Sequence, residues 1–164
     1  MRLFVFLITL FSASATWAGC TPGGAPSLIA DLGRATNAMR GQIGTGPLTI
    51  ETALSRVAQD HACDLARRST VSHRDGSGRM PMQRLRRAGL TVCYSAENVA
   101  MGTADAAGTV AAWQTSPGHA RNQQSTRARA MGVGVARGQD GRLLWVALYV
   151  AGCDRVASQR RMIW

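Results

Sequence analysis

The N-terminal segment constrains this chain most. It predicts export, and a segment of this kind is cleaved off and does not belong to the mature fold. Arg2 supplies one positive charge, residues 3–11 are apolar, and small residues run to Ala18. This order is typical of a secretory signal peptide, and the apolar run is too short to span a bilayer. We place the boundary after Ala18, although residues 13–15 also fit a cleavage site. Residues 1–18 are therefore excluded from fold reasoning.

An exported chain matures under oxidising conditions, so an even number of cysteines predicts two disulfides. The four cysteines are Cys20, Cys63, Cys93 and Cys153, and at this point every pairing is open. No C-x-x-C pair occurs, which argues against a zinc ribbon. Trp17-Ala18-Gly19-Cys20 also resembles a bacterial lipobox. Lipidation of Cys20 would tether the chain to a membrane and leave one disulfide; without it the domain would be free in the periplasm or the medium.

About 145 residues remain, a length that suits one domain with one core. We expect a flexible leader at 19–26, a folded domain at 27–154, a basic tail at 155–164 and a monomeric protein. All 19 basic residues are Arg, and they give a net charge of +10. On charge alone a solvated basic surface is the preferred interpretation, and the same charge permits an anionic envelope polymer or lipid as partner. Export argues against nucleic acid.

Hydrophobic periodicity predicts helices early in the chain and strands late. Helices are expected at 27–39 with Ser27 as cap, at 51–67 with Thr49 as cap, at 81–88 and at 104–113. Strands are expected within 90–101, at 131–136 and at 143–150, the last two joined by a turn at 138–141. Residues 116–118, Ser-Pro-Gly, should end the last helix. The order predicts an α+β or layered α-β-α fold.

Histidine and glutamate are scarce, which makes each position informative. His73 lies in a polar loop, Glu97 lies on or beside a strand, and His119 follows the Pro-Gly break. Two imidazoles and a carboxylate suit a divalent metal such as zinc, or proton transfer. His61 lies in the second helix with Asp64 on the same face. It is either one of a metal pair or a partly buried, hydrogen-bonded residue.

Two common kinds of site are disfavoured. The chain has no G-x-S-x-G elbow, so a serine hydrolase is not indicated. Gly132-Val133-Gly134 lies in a predicted strand with no helix after it, which indicates close packing rather than a nucleotide loop. Trp113, at the end of a predicted helix, is expected in the core.

Several short motifs occur in a recognisable order. They are Asn37-x-x-Arg40, His61 through Ala66, Ser72-His73 with Arg84, Glu97-Asn98-Val99-Ala100-x-Gly102, Trp113-x-x-Ser116-Pro117-Gly118-His119-x-x-Asn122, and Gly132 through Ala136. In this order, over about residues 27–150, the chain resembles the bacterial branch of the CAP superfamily. That superfamily is named for cysteine-rich secretory proteins, antigen five and pathogenesis-related proteins.

The resemblance implies a three-layer α-β-α sandwich with a central twisted antiparallel sheet. It also implies a cleft lined by a His/Glu tetrad, which binds zinc or another divalent cation in some members. His73, Glu97 and His119 match three members of the tetrad, whereas Ser116 stands where relatives have a second Glu. This exchange removes a carboxylate.

Supporting roles follow from the same resemblance. His61, Ser116, Trp113 and Asn122 are expected to be structural or to lie behind the cleft. Asn98 is expected to hold backbone groups beside Glu97. Disulfides are expected between Cys63 and Cys93 and between Cys20 and Cys153.

The resemblance implies an exported binding module whose cleft holds a divalent metal or a lipid or envelope ligand. The alternative is a metal-dependent hydrolase, with His73 and His119 as ligands and Glu97 as general base. Family resemblance alone does not confer a reaction, because function lies in the site.

Overall fold

The structure is a computed structural model of the chain, and it describes residues 19–153. The predicted signal peptide and the predicted basic tail lie outside the described residues. In chain order the elements are α1 (Ala25–Gln42), β1 (Thr49–Ile50), α2 (Thr52–Arg68), α3 (Pro81–Arg87), β2 (Val92–Met101), α4 (Ala106–Gln114), α5 (Pro117–Gln124), β3 (Ala130–Arg137) and β4 (Leu143–Gly152).

The strands form one sheet in the order β1-β3-β4-β2. β4 lies inside the sheet, antiparallel to both β3 and β2, and the turn between β3 and β4 is the expected hairpin. β1 pairs with β3 in parallel through two residues. Such a short strand shows no alternation in the sequence, which explains why it was not expected.

Side chains of β4 alternate between two hydrophobic cores, one on each face of the sheet. Leu144, Val146, Leu148 and Val150 pack with α2 and α3, whereas Leu143, Trp145, Ala147 and Tyr149 pack with α1 and α4. The apolar positions predicted for the second helix, Leu54, Val57, Ala58, Ala62, Leu65 and Ala66, all lie in the first core. Both faces are covered, so the expected α-β-α sandwich is confirmed.

α2 lies against β3 at backbone contact distance because β3 has no side chains at two facing positions. A Cβ on Gly132 would overlap the backbone of Leu54, and one on Gly134 would overlap the backbone of Ala58. Both would lie far inside an ordinary carbon–carbon contact. The prediction of a closely packed glycine strand is therefore confirmed.

This close approach lets α2 satisfy the exposed edge of β3 beyond the short β1. The Val133 N–H donates to the Ser55 hydroxyl at 3.1 Å. Gln59 accepts from the Val135 N–H at 3.0 Å and donates to the Val135 carbonyl at 2.9 Å. Two side chains of a helix thus take the place of a neighbouring strand, which protects an edge that could otherwise pair with another chain.

Two helix starts differ from the expectation. α1 begins at Ala25, inside the predicted leader, and Ser27 lies within the helix rather than capping it. Gly24 has a φ of 76°, which suits glycine, and Pro26 fits the first helical turn. Thr49 lies in β1, and Glu51 takes the cap position of α2.

The sequence did not predict α5. Ser116 takes its cap position and Pro117 opens it. Proline lacks an N–H that the first turn does not need, so a Pro-Gly pair that ends one helix can also begin the next. The residues of α5 are mostly polar and give little apolar periodicity. His119 therefore lies on a helix.

The expected disulfide pairing is wrong. The bonds join Cys20 to Cys63 and Cys93 to Cys153. β2 and β4 are antiparallel, so the first residues of β2 lie beside the last residues of β4. Cys93 therefore meets Cys153, and Cys63 on α2 is left for the leader.

The Cys20–Cys63 bond also bears on membrane tethering. It uses the sulfur atom that lipidation of Cys20 would need, so Cys20 cannot carry a lipid while this bond is present. The backbone of the leader is held as well, because the Arg137 N–H donates to the Cys20 carbonyl at 2.8 Å. Among residues 19–153, no helix is both long and apolar enough to cross a membrane.

The contact between α2 and β3 predicts a strong effect of Gly134→Ala. The added methyl group would overlap backbone that cannot move independently, so we expect a loss of about 3 kcal/mol in the free energy of unfolding. Chemical denaturation would measure this loss. Gly41→Ala is the matched control, because Gly41 lies in α1 with nothing near its Cβ position. Equal stability of the two variants would contradict the close contact.

The disulfides predict a specific peptide map. Under non-reducing digestion, peptides Cys20–Cys63 and Cys93–Cys153 should be found, and a Cys63–Cys93 peptide would contradict the structure. The bonds close loops with sequence separations of 43 and 60 residues. The double variants Cys20→Ala/Cys63→Ala and Cys93→Ala/Cys153→Ala should therefore each lose about 4 kcal/mol of stability while keeping the other bond.

Candidate functional site

Glu97 and Asn98 are neighbours on β2 but point to opposite faces of the sheet. Glu97 pairs across the strands with Leu148, whose side chain lies in the core beside α2 and α3. Asn98 pairs with Ala147, which lies in the core on the α1 and α4 side. Because side chains alternate along a strand, one dipeptide connects both helical layers. β2 is an edge strand, so these layers meet there at the surface.

The Glu97 carboxylate is buried, with 4% of the residue exposed, and both of its oxygens are bonded. Arg84 of α3 donates from a terminal guanidinium nitrogen to Oε2 in a short ion pair. His73 donates from Nδ1 to Oε1 at 2.9 Å. Breaking a buried ion pair costs about 3–5 kcal/mol because the remaining charge is left uncompensated. Glu97 therefore fixes the positions of α3 and of the loop before it.

Arg84 reinforces this arrangement through the backbone. Its other terminal nitrogen donates to the carbonyls of His73 and Arg79, each at 2.8 Å. The sequence places Arg84 in a motif with Ser72-His73 but predicts no role for it in the site. α3 has only seven residues, too few turns for periodicity to separate a buried Arg from its exposed neighbours Arg86 and Arg87.

His119 lies on α5, on the other side of the sheet edge. Asn98 donates from Nδ2 to the His119 carbonyl at 3.0 Å. The carbonyl of Glu97 is instead bonded by Asn122, which donates to it at 3.2 Å and to the Asn98 side-chain oxygen at 2.9 Å. The expected positioning role beside Glu97 thus belongs to Asn122, while Asn98 holds α5 against β2.

The exposed imidazole of His73 and the half-buried imidazole of His119 have opposite electrostatic environments. The hydrogen bond to Glu97 raises the pKa of His73 above 6.5, against an opposing effect of burial. Burial lowers the pKa of His119, and the nearby charge of His73 lowers it further. His73 is therefore the first of the two to take up a proton. We call His73, Glu97 and His119 together the histidine site.

The other residues singled out in the sequence lie around this site. Trp113 is buried, donates to the Val99 carbonyl at 3.4 Å, and places its ring 6.4 Å from the His119 ring. Ser116 caps α5 by position and brings no carboxylate. His61 is 1% exposed, and its Nε2 lies 2.9 Å from the Ser72 carbonyl and 3.7 Å from Glu97. Burial lowers the pKa of His61, against an opposing effect of Glu97, and so favours the neutral imidazole.

The geometry offers little support for a three-ligand zinc site. Within the part of the chain that the structure describes, no group of three or more His, Cys, Asp or Glu side chains is placed to hold a metal ion. Arg84 and His73 occupy the two oxygens of Glu97. Nε2 of His73 and the ring of His119 are the remaining donors of the histidine site. Zinc binding stays a prediction of the resemblance.

Exposed arginines at the end of α2, in the loop that carries His73 and at the end of α3 make up a basic surface, which we call the Arg-rich face. It comprises the exposed residues Arg67, Arg68, Arg74, Arg86 and Arg87. Arg68 forms an ion pair with Asp64 at 2.6 Å. Arg84 does not belong to this surface, because it is 7% exposed and bonded to Glu97.

Fold and site together define a class: a small disulfide-bonded α-β-α sandwich with a His-Glu-His set at the edge of its sheet. The sequence model of the Cysteine-rich secretory protein family, CAP, matches residues 34–150. The chain belongs to this family, and the resemblance drawn from its motifs is confirmed.

Known proteins agree with this assignment. The chain is 29% identical over 99 residues to the uncharacterized protein YkwD of Bacillus subtilis, covering 60% of this chain and 38% of that one. An SCP-domain extracellular protein of Bacillus anthracis superposes with a TM-score of 0.69 at 21% identity, over 77% of this chain and 41% of that chain. An outer surface protein of Borrelia burgdorferi gives a TM-score of 0.69 at 25% identity, over 74% of this chain and 90% of that chain. The chain thus spans well under half of YkwD.

The environments of the three histidines predict their order of protonation. His73 should titrate above pH 6.5, and His119 and His61 below it. NMR titration of the imidazole resonances would measure this, with the urea-unfolded chain as a control in which all three titrate near their ordinary value. A midpoint for His73 at or below that of His119 would contradict the Glu97 hydrogen bond.

The same shifts fix the signs of the pH dependence of stability. The raised pKa of His73 adds stability that is present below pH 6.5 and is lost as pH rises through its folded pKa. The lowered pKa of His61 acts in the opposite direction, because stability is lost as pH falls from 6.5 through its folded pKa.

Proposed function

We propose that this CAP-domain protein is an exported binding module in which the histidine site and the Arg-rich face hold an anionic ligand. The phosphate or carboxylate groups of such a ligand belong either to an envelope polymer or to lipid headgroups. Two disulfides, the predicted signal peptide and the extracellular relative support export.

The observation that carries this proposal is that both carboxylate oxygens of Glu97 are already bonded to side chains of the protein. The alternative function, a metal-dependent hydrolase, needs Glu97 as a general base with an oxygen free to accept a proton. Arg84 holds one oxygen and His73 holds the other, and the carboxylate is buried. Its negative charge is therefore compensated by partners inside the protein, and its hydrogen bond raises the pKa of His73.

What remains at the surface is positive and rich in donors. His73 exposes 48% of its side chain beside Glu97, and Arg74 follows it directly in the chain. Guanidinium groups bind phosphate and carboxylate with two parallel hydrogen bonds, and several of them raise the local concentration of an anionic partner. This surface therefore suits an anion better than it suits an uncharged substrate.

Binding of a soluble polyanion and of anionic vesicles tests the proposal. We expect polygalacturonate or phosphatidylglycerol vesicles to bind at low salt, and the binding to weaken steeply as salt is added. Arg74→Ser/Arg86→Ser should reduce affinity about tenfold or more. Arg34→Ser/Arg142→Ser is the charge-matched control, because these arginines pair with Asp31 and Asp140 away from the histidine site.

The outcomes separate the two ligand sources and the two functions. Binding of only one probe identifies the source, and binding of neither at low salt refutes the proposal. Zinc calorimetry on the wild type and on His73→Ala tests the predicted metal. Zinc-dependent turnover of ester, peptide or glycan substrates that disappears in His73→Ala would favour the hydrolase instead.

A further inference from the structure

The outer side of β2 is one of the two edges of the sheet. In an antiparallel pair, the N–H and C=O groups of a residue point to the same side, and that side alternates along the strand. The Glu97 carbonyl accepts from Asn122, which lies outside the pair of β2 and β4. The Val99 carbonyl accepts from Trp113 in the same way. Alternation therefore turns the backbone groups of Ser95 outward as well.

The pairing of Ser95 with β4 leads to the same orientation. Ser95 lies opposite Val150, whose carbonyl accepts from the Arg129 N–H at 2.8 Å, on the side of β3. Val150 therefore directs its backbone groups toward β3, and those of Ser95 point away from β4. Within residues 19–153, no hydrogen bond joins the Ser95 backbone to a helix, a loop or a side chain.

Other parts of the sheet boundary are protected by side chains. Ser55 and Gln59 bond the edge of β3, and Asn122 and Trp113 cap two carbonyls of β2. The pairing of β2 with β4 is irregular between Val92 and Tyr94. Between this irregularity and the Asn122 cap lies a short unpaired stretch, residues 94–97, which we call the open edge. An unpaired edge is a template for another strand.

Positive charge flanks the open edge on both faces of the sheet. The guanidinium carbon of Arg127, an exposed residue, lies 4.4 Å from the centre of the Tyr94 ring. On the opposite face, His73 is bonded to Glu97, and the exposed Arg74 follows it in the chain. Glu97 itself is buried and compensated. Charge complementarity therefore favours an acidic partner at this edge.

The two faces also predict a pattern for the partner, because the side chains of an added strand alternate between them. Tyr94 and Ala96 offer half-buried apolar surface beside the core of α1 and α4, which suits apolar side chains. The face of Ser95 is polar, and His73 exposes 48% of its side chain there. This face suits carboxylates. A matching segment therefore alternates acidic and apolar residues.

We infer that the open edge of β2 binds an extended acidic peptide segment as an added antiparallel strand. The residue opposite Ser95 donates its N–H to the Ser95 carbonyl and accepts from the Ser95 N–H. By the same alternation, the Glu97 N–H donates to a second carbonyl of the segment. Recognition through the backbone distinguishes this binding from that of the anionic polymer or lipid proposed above.

NMR titration of the disulfide-bonded mature chain with the capped heptapeptide Thr-Glu-Val-Glu-Val-Glu-Thr tests the inference. We expect saturable downfield shifts of the Ser95 and Glu97 amide protons and slower hydrogen exchange at Ser95, because a strand replaces water as their partner. The same peptide with lysine in place of each glutamate is the charge control. It should bind about tenfold more weakly or less.

Two N-methylated versions of the peptide separate backbone pairing from charge attraction. Their side chains and net charge are identical. Methylation of the glutamate nitrogens removes the N–H groups that face β2 and should abolish the shifts. Methylation of the valine nitrogens removes N–H groups that face solvent and should leave binding intact. Equal binding of the two versions would overturn the inference.

A substitution in the protein tests the same backbone group. Ser95→Pro removes the outward N–H at an edge position, where proline is tolerated, and should weaken binding about tenfold or more. Ser95→Thr keeps the N–H and is the matched control, with binding unchanged. If Ser95→Pro does not fold, the N-methylated peptides still decide, because they leave the protein as it is.

Three other results would overturn the inference. Absence of saturable shifts would indicate that water alone solvates the open edge. Shifts confined to the Arg-rich face would indicate charge attraction without strand pairing. Concentration-dependent shifts of Ser95 in the absence of peptide would assign the edge to a second copy of this chain.

Discussion

The buried Glu97 carboxylate is the constraint on which the functional half of this molecule depends. A charge inside a protein requires partners, since removing one costs about 3–5 kcal/mol, a large share of the stability of a small domain. Arg84 and His73 supply them, and each comes from a different segment. One carboxylate thereby sets the position of α3, orders the loop that carries His73, and decides which imidazole protonates first.

A second constraint lies on the same face of the sheet, where Gly132 and Gly134 let α2 touch β3. The helix then satisfies the strand through Ser55 and Gln59. Because α2 is fixed there, its remaining faces have defined neighbours. One places Cys63 beside the leader, and another places His61 beside Glu97 and the Ser72 carbonyl. Two glycines of β3 thus fix α2, and α2 in turn fixes the positions of Cys63 and His61.

The arginines of this protein have two different roles. Those of the Arg-rich face present positive charge to solvent, whereas Arg84 is buried and orders the histidine site from inside. Its terminal nitrogens hold the Glu97 carboxylate and the His73 backbone, so its charge is compensated within the protein.

The sequence by itself determined the family, the sandwich and the three members of the histidine site. The order of the motifs indicates the family, and the spacing of apolar residues separates helices from strands. Along β4, for example, apolar side chains alternate between the two cores. Tertiary structure alone decided the disulfide partners, the start of α5 and the burial of Arg84. Each depends on which distant segments come into contact. The register of β2 against β4 places Cys93 beside Cys153. The Glu97 carboxylate on β2 forms a buried ion pair with Arg84, whereas its neighbours Arg86 and Arg87 stay exposed. No local pattern encodes such meetings, because they follow from the packing of distant elements.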